Sequence, residues 1–158
     1  MNKHKTAKLE NPDRVHELNP EATLKRAGFK ESMILCDIGA GTGIFSFPAA
    51  QMSSNDIYAL EASDTMLDLL QERKVKNLQI RKVDSPVLPL ADSICDMALL
   101  VTVLHEIEDK PMMLKEIKRI LKAKGKLLII EFHKRSTPMG PPVGQRIAQE
   151  AMVELCSK

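Results

Sequence analysis

Apolar positions in this chain follow two alternating rhythms. Short apolar runs fit strands: Met33 to Ile38, Asp56 to Glu61, the alternating Leu78 to Val83, the continuous Cys95 to Val101, and Lys126 to Phe132. Between them lie segments whose apolar residues recur every three or four positions, the spacing of amphipathic helices. One runs from Ile44 to Met52. A second is capped by Ser63 and reaches about Lys74, with Met66, Leu67, Leu69 and Leu70 on its apolar face. A third opens at Asp109, ahead of Pro111, and continues through Leu121 until Gly125 stops it. Two short helices, Pro12 to Leu18 and Pro20 to Ala27, precede this series, each opened by a proline, and Gly28 ends the second. A proline-rich loop, Pro138 to Pro142, leads to a last helix from about Gly144 to Cys156. Strand alternating with helix predicts an α/β fold: a doubly wound, mostly parallel sheet with helices on both faces. Right-handed crossovers place the first strand at its centre. Cys95 to Val101, apolar throughout, reads as a strand buried on both faces. The chain divides into a helical leader, 1–30, and a main domain, 31–158.

The first strand runs into Asp37-Ile38-Gly39-Ala40-Gly41-Thr42-Gly43, three glycines at alternate positions. A strand that turns at once into a helix, with a large ligand against its backbone, needs glycine where a side chain would block the approach or forbid the dihedrals. The N–H groups at the helix start are expected to face that ligand. Ligands of such sheets bind beyond the carboxyl ends of the strands, where strand order reverses, and the loop lies there. A dinucleotide fingerprint, G-x-G-x-x-G, would require glycine at Ile44. Asp37 also stands two residues before the first glycine, where a carboxylate repels a pyrophosphate and suits a cation. An ordinary glycine-rich turn is the plainer alternative. At the end of the second strand, Glu61 can accept two hydrogen bonds from a ribose diol; equally it is a solvated charge favoured by the helix dipole that follows.

Composition narrows the class without choosing a reaction. At 158 residues with 44% hydrophobic and 28% charged residues, the chain reads as one globular domain. A net charge of +2 gives no support for nucleic acid, and Lys3, Lys5 and Lys8 read as a solvated basic terminus. No apolar run is long enough to span a membrane and no signal-peptide core opens the chain, so no membrane association and a cytoplasmic setting are expected. Three scattered cysteines lack metal-ligand spacing, so no metal is expected; Cys36 and Cys95 read as small buried hydrophobes.

The motif D-x-G-x-G-x-G, with an acidic residue closing the second strand, resembles the first motifs of class I methyltransferases that use S-adenosylmethionine. The resemblance covers about Leu35 to Phe132 and is nearest to the broad group that includes quinone-biosynthesis and small-molecule enzymes. It implies a Rossmann-like methyltransferase fold, S-adenosyl-L-methionine as cofactor and a small-molecule methyl acceptor. Cofactor binding would fall to Asp37, Gly39, Ala40, Gly41 and Gly43, to Glu61 for the ribose, to Ala62 and Met66 beside the adenine, and to Thr102. Asp84 and Ser85, after the third strand, would meet the adenine amino group and ring. His105 and His133 are the candidate catalytic bases, each also readable as a histidine without chemistry. The short motif that clamps base amino groups is absent after the fourth strand, and aromatic residues are scarce, so base methylation is not expected. Five strands are evident where this fold usually has seven. A shortened chain, a natural minimal domain, or a homodimer covering the edge would each account for that. The rival functions are a nicotinamide-dependent oxidoreductase and a non-catalytic S-adenosylmethionine-binding module or inactive fragment.

Overall fold

The computed structural model describes residues 7–73 and 75–157. Lys3, Lys5 and the expected helix end at Lys74 lie outside them. Five parallel strands form one sheet: β1 (Leu35–Ile38), β2 (Ile57–Glu61), β3 (Leu78–Lys82), β4 (Cys95–Val101) and β5 (Leu121–Ile130), in the order β3-β2-β1-β4-β5. β1 is central, as the crossover rule requires. The helices are α1 (Pro12–Leu18), α2 (Pro20–Ala27), α3 (Ser46–Met52), α4 (Asp64–Glu72), α5 (Lys110–Ile120) and α6 (Gln149–Cys156).

Alternation along the strands builds two apolar layers. Leu35, Ile57, Ala59, Met97 and Leu99 point to one face, where Leu24 of α2, Phe47 and Ala49 of α3 and Leu70 of α4 close over them. Cys36, Ile38, Tyr58, Leu60, Ala98 and Leu100 point to the other, under Ile117 and Ile120 of α5, Leu88 and Leu90 of the β3–β4 loop, and Met152 and Leu155 of α6. The two buried cysteines are free thiols inside this packing.

Side-chain caps open α1 and α5. Asn11 accepts from the Asp13 and Arg14 amides at α1, and Asp109 accepts from the Met112 amide at α5. At α4 the expected cap, Ser63, makes no side-chain hydrogen bond. Glu61, at the end of β2, instead accepts from the Ala62 and Ser63 amides that lead into the helix, at 2.9 Å each.

Two boundaries differ most from the sequence reading. α5 stops at Ile120, and Leu121 already pairs with Cys95; the register then jumps so that Met97 faces Lys126. Residues 122–125 are therefore an excursion within β5, and a Cβ on Gly125 would sit 2.9 Å from the Lys122 carbonyl. The last helix is shorter than expected: a 3-10 turn, Val143–Gln145, precedes α6. Between them Arg146 is buried and donates to the carbonyls of His133, Arg135, Met139 and Pro141 and to the Thr137 hydroxyl, fixing the loop after β5.

Candidate functional site

A cavity of about 330 Å³ opens at the carboxyl ends of β1, β2 and β4, at the reversal of strand order. The glycine loop forms its floor, and each glycine answers a different constraint. Gly39 leaves room for Val103, whose Cγ2 would lie 2.6 Å from an added Cβ. Gly43 admits Phe47 and Leu70, which would lie within 2.8 Å of one, so it serves helix packing and does not line the cavity. Gly41, at φ +57, faces the cavity and has only Leu9 near its missing Cβ, at 3.5 Å.

Four of the loop's N–H groups do not face a ligand as expected, because the protein uses them. The Gly39 and Ala40 amides donate to the Leu60 carbonyl at 2.8 and 3.0 Å, Gly41 to Glu61 Oε2 at 2.7 Å, and Gly43 to the Ala40 carbonyl at 2.9 Å. A diphosphate would find few free donors here. Three carboxylates line the cavity instead: Asp37, Glu61 and Glu106. Asp37 is buried and accepts from Ser46 Oγ at 2.6 Å. Burial pushes its pKa up to about 6; the Ser46 hydrogen bond opposes the rise and the Glu61 charge adds to it. Glu61 has filled three of its roughly four acceptor positions with backbone amides, which leaves one for a ligand hydroxyl. A second ribose hydroxyl would have to displace the Gly41 amide.

Ala40, Ala62 and Met66 line the cavity, as does Thr102 at the end of β4. Thr102 holds φ +55, costly for a β-branched residue, and its hydroxyl accepts from Arg14 Nη2 at 3.1 Å. Asp84 and Ser85 stand elsewhere, in an exposed turn where Ser85 Oγ donates to the Val87 carbonyl; Val83 occupies the wall in their place. His133 is exposed and off the cavity. His105 is also off the wall, its ring buried with Nδ1 2.9 Å from Glu131 Oε2 and Nε2 3.9 Å from Glu106 Oε1. Glu106 is the residue of that turn that reaches the cavity.

Sequence reasoning missed Arg14, Thr42 and Glu106 as cavity residues. Thr42 carries a buried hydroxyl with no hydrogen-bond partner among the described residues. Leu9, Arg14 and Leu18 bring the leader over the mouth. Their contacts arise only in the folded chain; the Arg14–Thr102 bond spans 88 positions. Among the described residues no cluster of histidine, cysteine or carboxylate could hold a metal, and no helix is long and apolar enough to cross a membrane.

The methyltransferase domain family matches residues 36–129, which run from β1 almost to the end of β5. The chain belongs to that family. Its fold is shared by solved methyltransferases: it superposes on a SAM-dependent methyltransferase from Aquifex aeolicus with a TM-score of 0.90 at 26% identity, covering 99% of this chain and 87% of that one. The cyclase SpnF is also similar, with a TM-score of 0.75 at 25% identity over 88% of this chain and 54% of its own. Among curated relatives, the ubiquinone/menaquinone biosynthesis C-methyltransferase of Laribacter hongkongensis is 30% identical over 132 residues, 80% of this chain and 54% of the relative. That of Cellvibrio japonicus is 28% identical over 127 residues, 76% of this chain and 51% of the relative. The chain spans about half the length of these curated relatives.

Proposed function

We infer that this chain binds S-adenosylmethionine and transfers its methyl group to a small, largely apolar acceptor. The observation that carries the reading is the polarity of the crevice. Four of its loop amides, those of Gly39, Ala40, Gly41 and Gly43, are bonded within the protein and its walls carry Asp37, Glu61 and Glu106, a setting that favours a cationic nucleoside over a diphosphate or a nicotinamide dinucleotide. The residues present fit that cofactor. Gly41 leaves a cradle that a side chain would fill, and Thr42 keeps an orphaned hydroxyl in the same loop. When bound, S-adenosylmethionine supplies a methyl group made electrophilic by its sulfonium.

The chain's own residues then bind, orient and accept protons. Glu61 would take a ribose hydroxyl on its remaining acceptor position, and Met66, Ala62 and Val83 offer an apolar slot for the base. Asp37 would balance the cofactor's positive charge from beneath. Val103, Ile107 and Met113 give the acceptor side an apolar surface that excludes water. Glu106 stands among them and would receive a proton from an acceptor hydroxyl. His105, held by Glu131, would act only through Glu106. The names of the curated relatives favour a quinone-type ring as the acceptor.

Incubation with methyl-labelled S-adenosylmethionine and hydroxylated quinols tests this. Label should pass into the organic extract, and Glu106→Gln should slow that at least tenfold at saturating cofactor. Binding without transfer to any such acceptor would favour a second reading, a non-methylating use of the same crevice. The similarity to a cyclase keeps that reading in view.

A further inference from the structure

Two neighbours in the turn after β4 are placed in opposite surroundings. Glu106 reaches the cavity with its side chain 64% exposed, while the His105 ring is only 7% exposed and packs towards the end of β5. There it meets Glu131, the residue that follows β5, whose side chain is 10% exposed. Glu131 Oε1 accepts from the His105 amide at 3.1 Å, and Nδ1 of the ring lies 3.1 Å from Oε1 and 2.9 Å from Oε2. Among the described residues His105 is the only partner of Glu131. An ionised carboxylate can only accept, so Nδ1 carries a proton and donates it to Glu131. In the neutral ring the lone pair is then on Nε2, which stands 3.9 Å from Glu106 Oε1. That gap is too long for a hydrogen bond; a rotation of the exposed Glu106 side chain or one bridging water closes it.

Packing alone does not account for the pair. Two buried ionisable groups that serve only each other are often no more stabilising than apolar side chains of the same volume. The ends of β4 and β5 are already joined by the Thr102 amide, which donates to the Ile130 carbonyl at 2.7 Å, and Leu104 anchors the turn in the core. What the pair adds is a base whose tautomer is fixed and whose free nitrogen stands beside the carboxylate on the acceptor side of the cavity.

This inference rests on the reading of the cavity as a methyl-transfer site. We infer that Glu131 and His105 are positioning residues that act through Glu106 and draw the acceptor's proton out of the cavity. The acceptor O–H bond breaks with its electron pair left on oxygen; the proton passes to the Glu106 carboxylate and then to His105 Nε2. Glu106 is ionised again, and the imidazolium formed in the interior stands against the Glu131 carboxylate. An imidazole ordinarily holds a proton more firmly than a carboxylate, so the second transfer is favourable.

Transfer of label from methyl-labelled S-adenosylmethionine to a hydroxylated quinol tests it, beside transfer to a fluorinated counterpart whose reacting hydroxyl is already ionised at the assay pH. His105→Asn keeps an amide donor for Glu131 and removes the nitrogen that takes the proton. It should lower kcat on the first acceptor at least tenfold with KM within threefold of wild type, and the loss on the ionised acceptor should be at least fivefold smaller. Glu131→Gln should show the same pattern. The double variant Glu106→Gln/His105→Asn should be no slower than Glu106→Gln alone, because the pair works only through that residue. Equal losses on both acceptors, losses that multiply in the double variant, or no loss at all would show that the pair merely shapes the turn, and would overturn the inference while the methyl-transfer reading stood. A wild-type protein that labels neither acceptor would overturn that reading and the inference with it.

Discussion

Asp37 is a carboxylate that the fold would rather keep protonated. Its pKa stands at about 6, raised first by burial, against about 3.9 in an unfolded chain. Between those values the folded state holds more protons, so stability from this group is complete below about pH 4 and is lost as pH rises through about 6, by about 3 kcal/mol. Asp37→Asn should therefore raise the melting temperature at pH 8 and change it little at pH 4. Equal stabilisation at both would contradict the account. A bound cation favours the ionised form, so cofactor affinity should fall as pH drops below about 6, with proton release on binding seen by calorimetry in buffers of differing ionisation heat. Gly41→Val should abolish cofactor binding, since valine at φ +57 is strained and its side chain enters the cavity; a folded variant with unchanged affinity would refute this. That Asp37, Gly39, Gly41 and Glu61 line a cavity is legible in sequence because their placement is local: a position at or just after a strand end, and a spacing within a turn. Arg14 and Thr42 are not. The first acts through a contact made by tertiary packing, and the second is an ordinary loop threonine until burial leaves its hydroxyl unpaired.

At the scale of elements, α5 organises more than its own turn. Glu116 accepts from the Leu88 amide at 2.9 Å and from Arg119, which in turn donates to the Leu88 and Leu90 carbonyls and to Asp92. This clasp holds the β3–β4 loop, whose prolines supply no amide donors. Arg119→Ala should destabilise the protein by about 2 kcal/mol, through lost bonds and a Glu116 left unpaired. Urea denaturation measures it; a midpoint unchanged from wild type would show the clasp to be dispensable. The start of β5 was hidden for a related reason. Leu121, Lys122, Ala123 and Lys124 all suit a helix, so local preference extends α5, and only the pairing of Leu121 with Cys95 ends it. The central strands were legible because a short run without a polar face has no side to offer to water.

At the scale of the whole molecule, the order of elements decides where chemistry can occur. Alternating strands and helices with right-handed crossovers leave one reversal of strand order, between β1 and β4, and the cavity lies at its carboxyl ends. That much follows from periodicity and was legible before any contact was known. That such a helical leader often packs over the mouth of a cofactor site is the expectation, but nothing in residues 1–30 states which surface it covers. The fold brings it to the mouth, where a single guanidinium faces three carboxylates, and the site becomes a charge-sorted crevice instead of a phosphate cradle. The most direct measurement of this claim is a crystal structure of the protein grown with S-adenosylhomocysteine. The account predicts the nucleoside between the glycine loop and the end of β4, with a ribose hydroxyl on Glu61. An empty crevice beside a ligand bound elsewhere, or a crevice closed by the protein's own side chains, would contradict it.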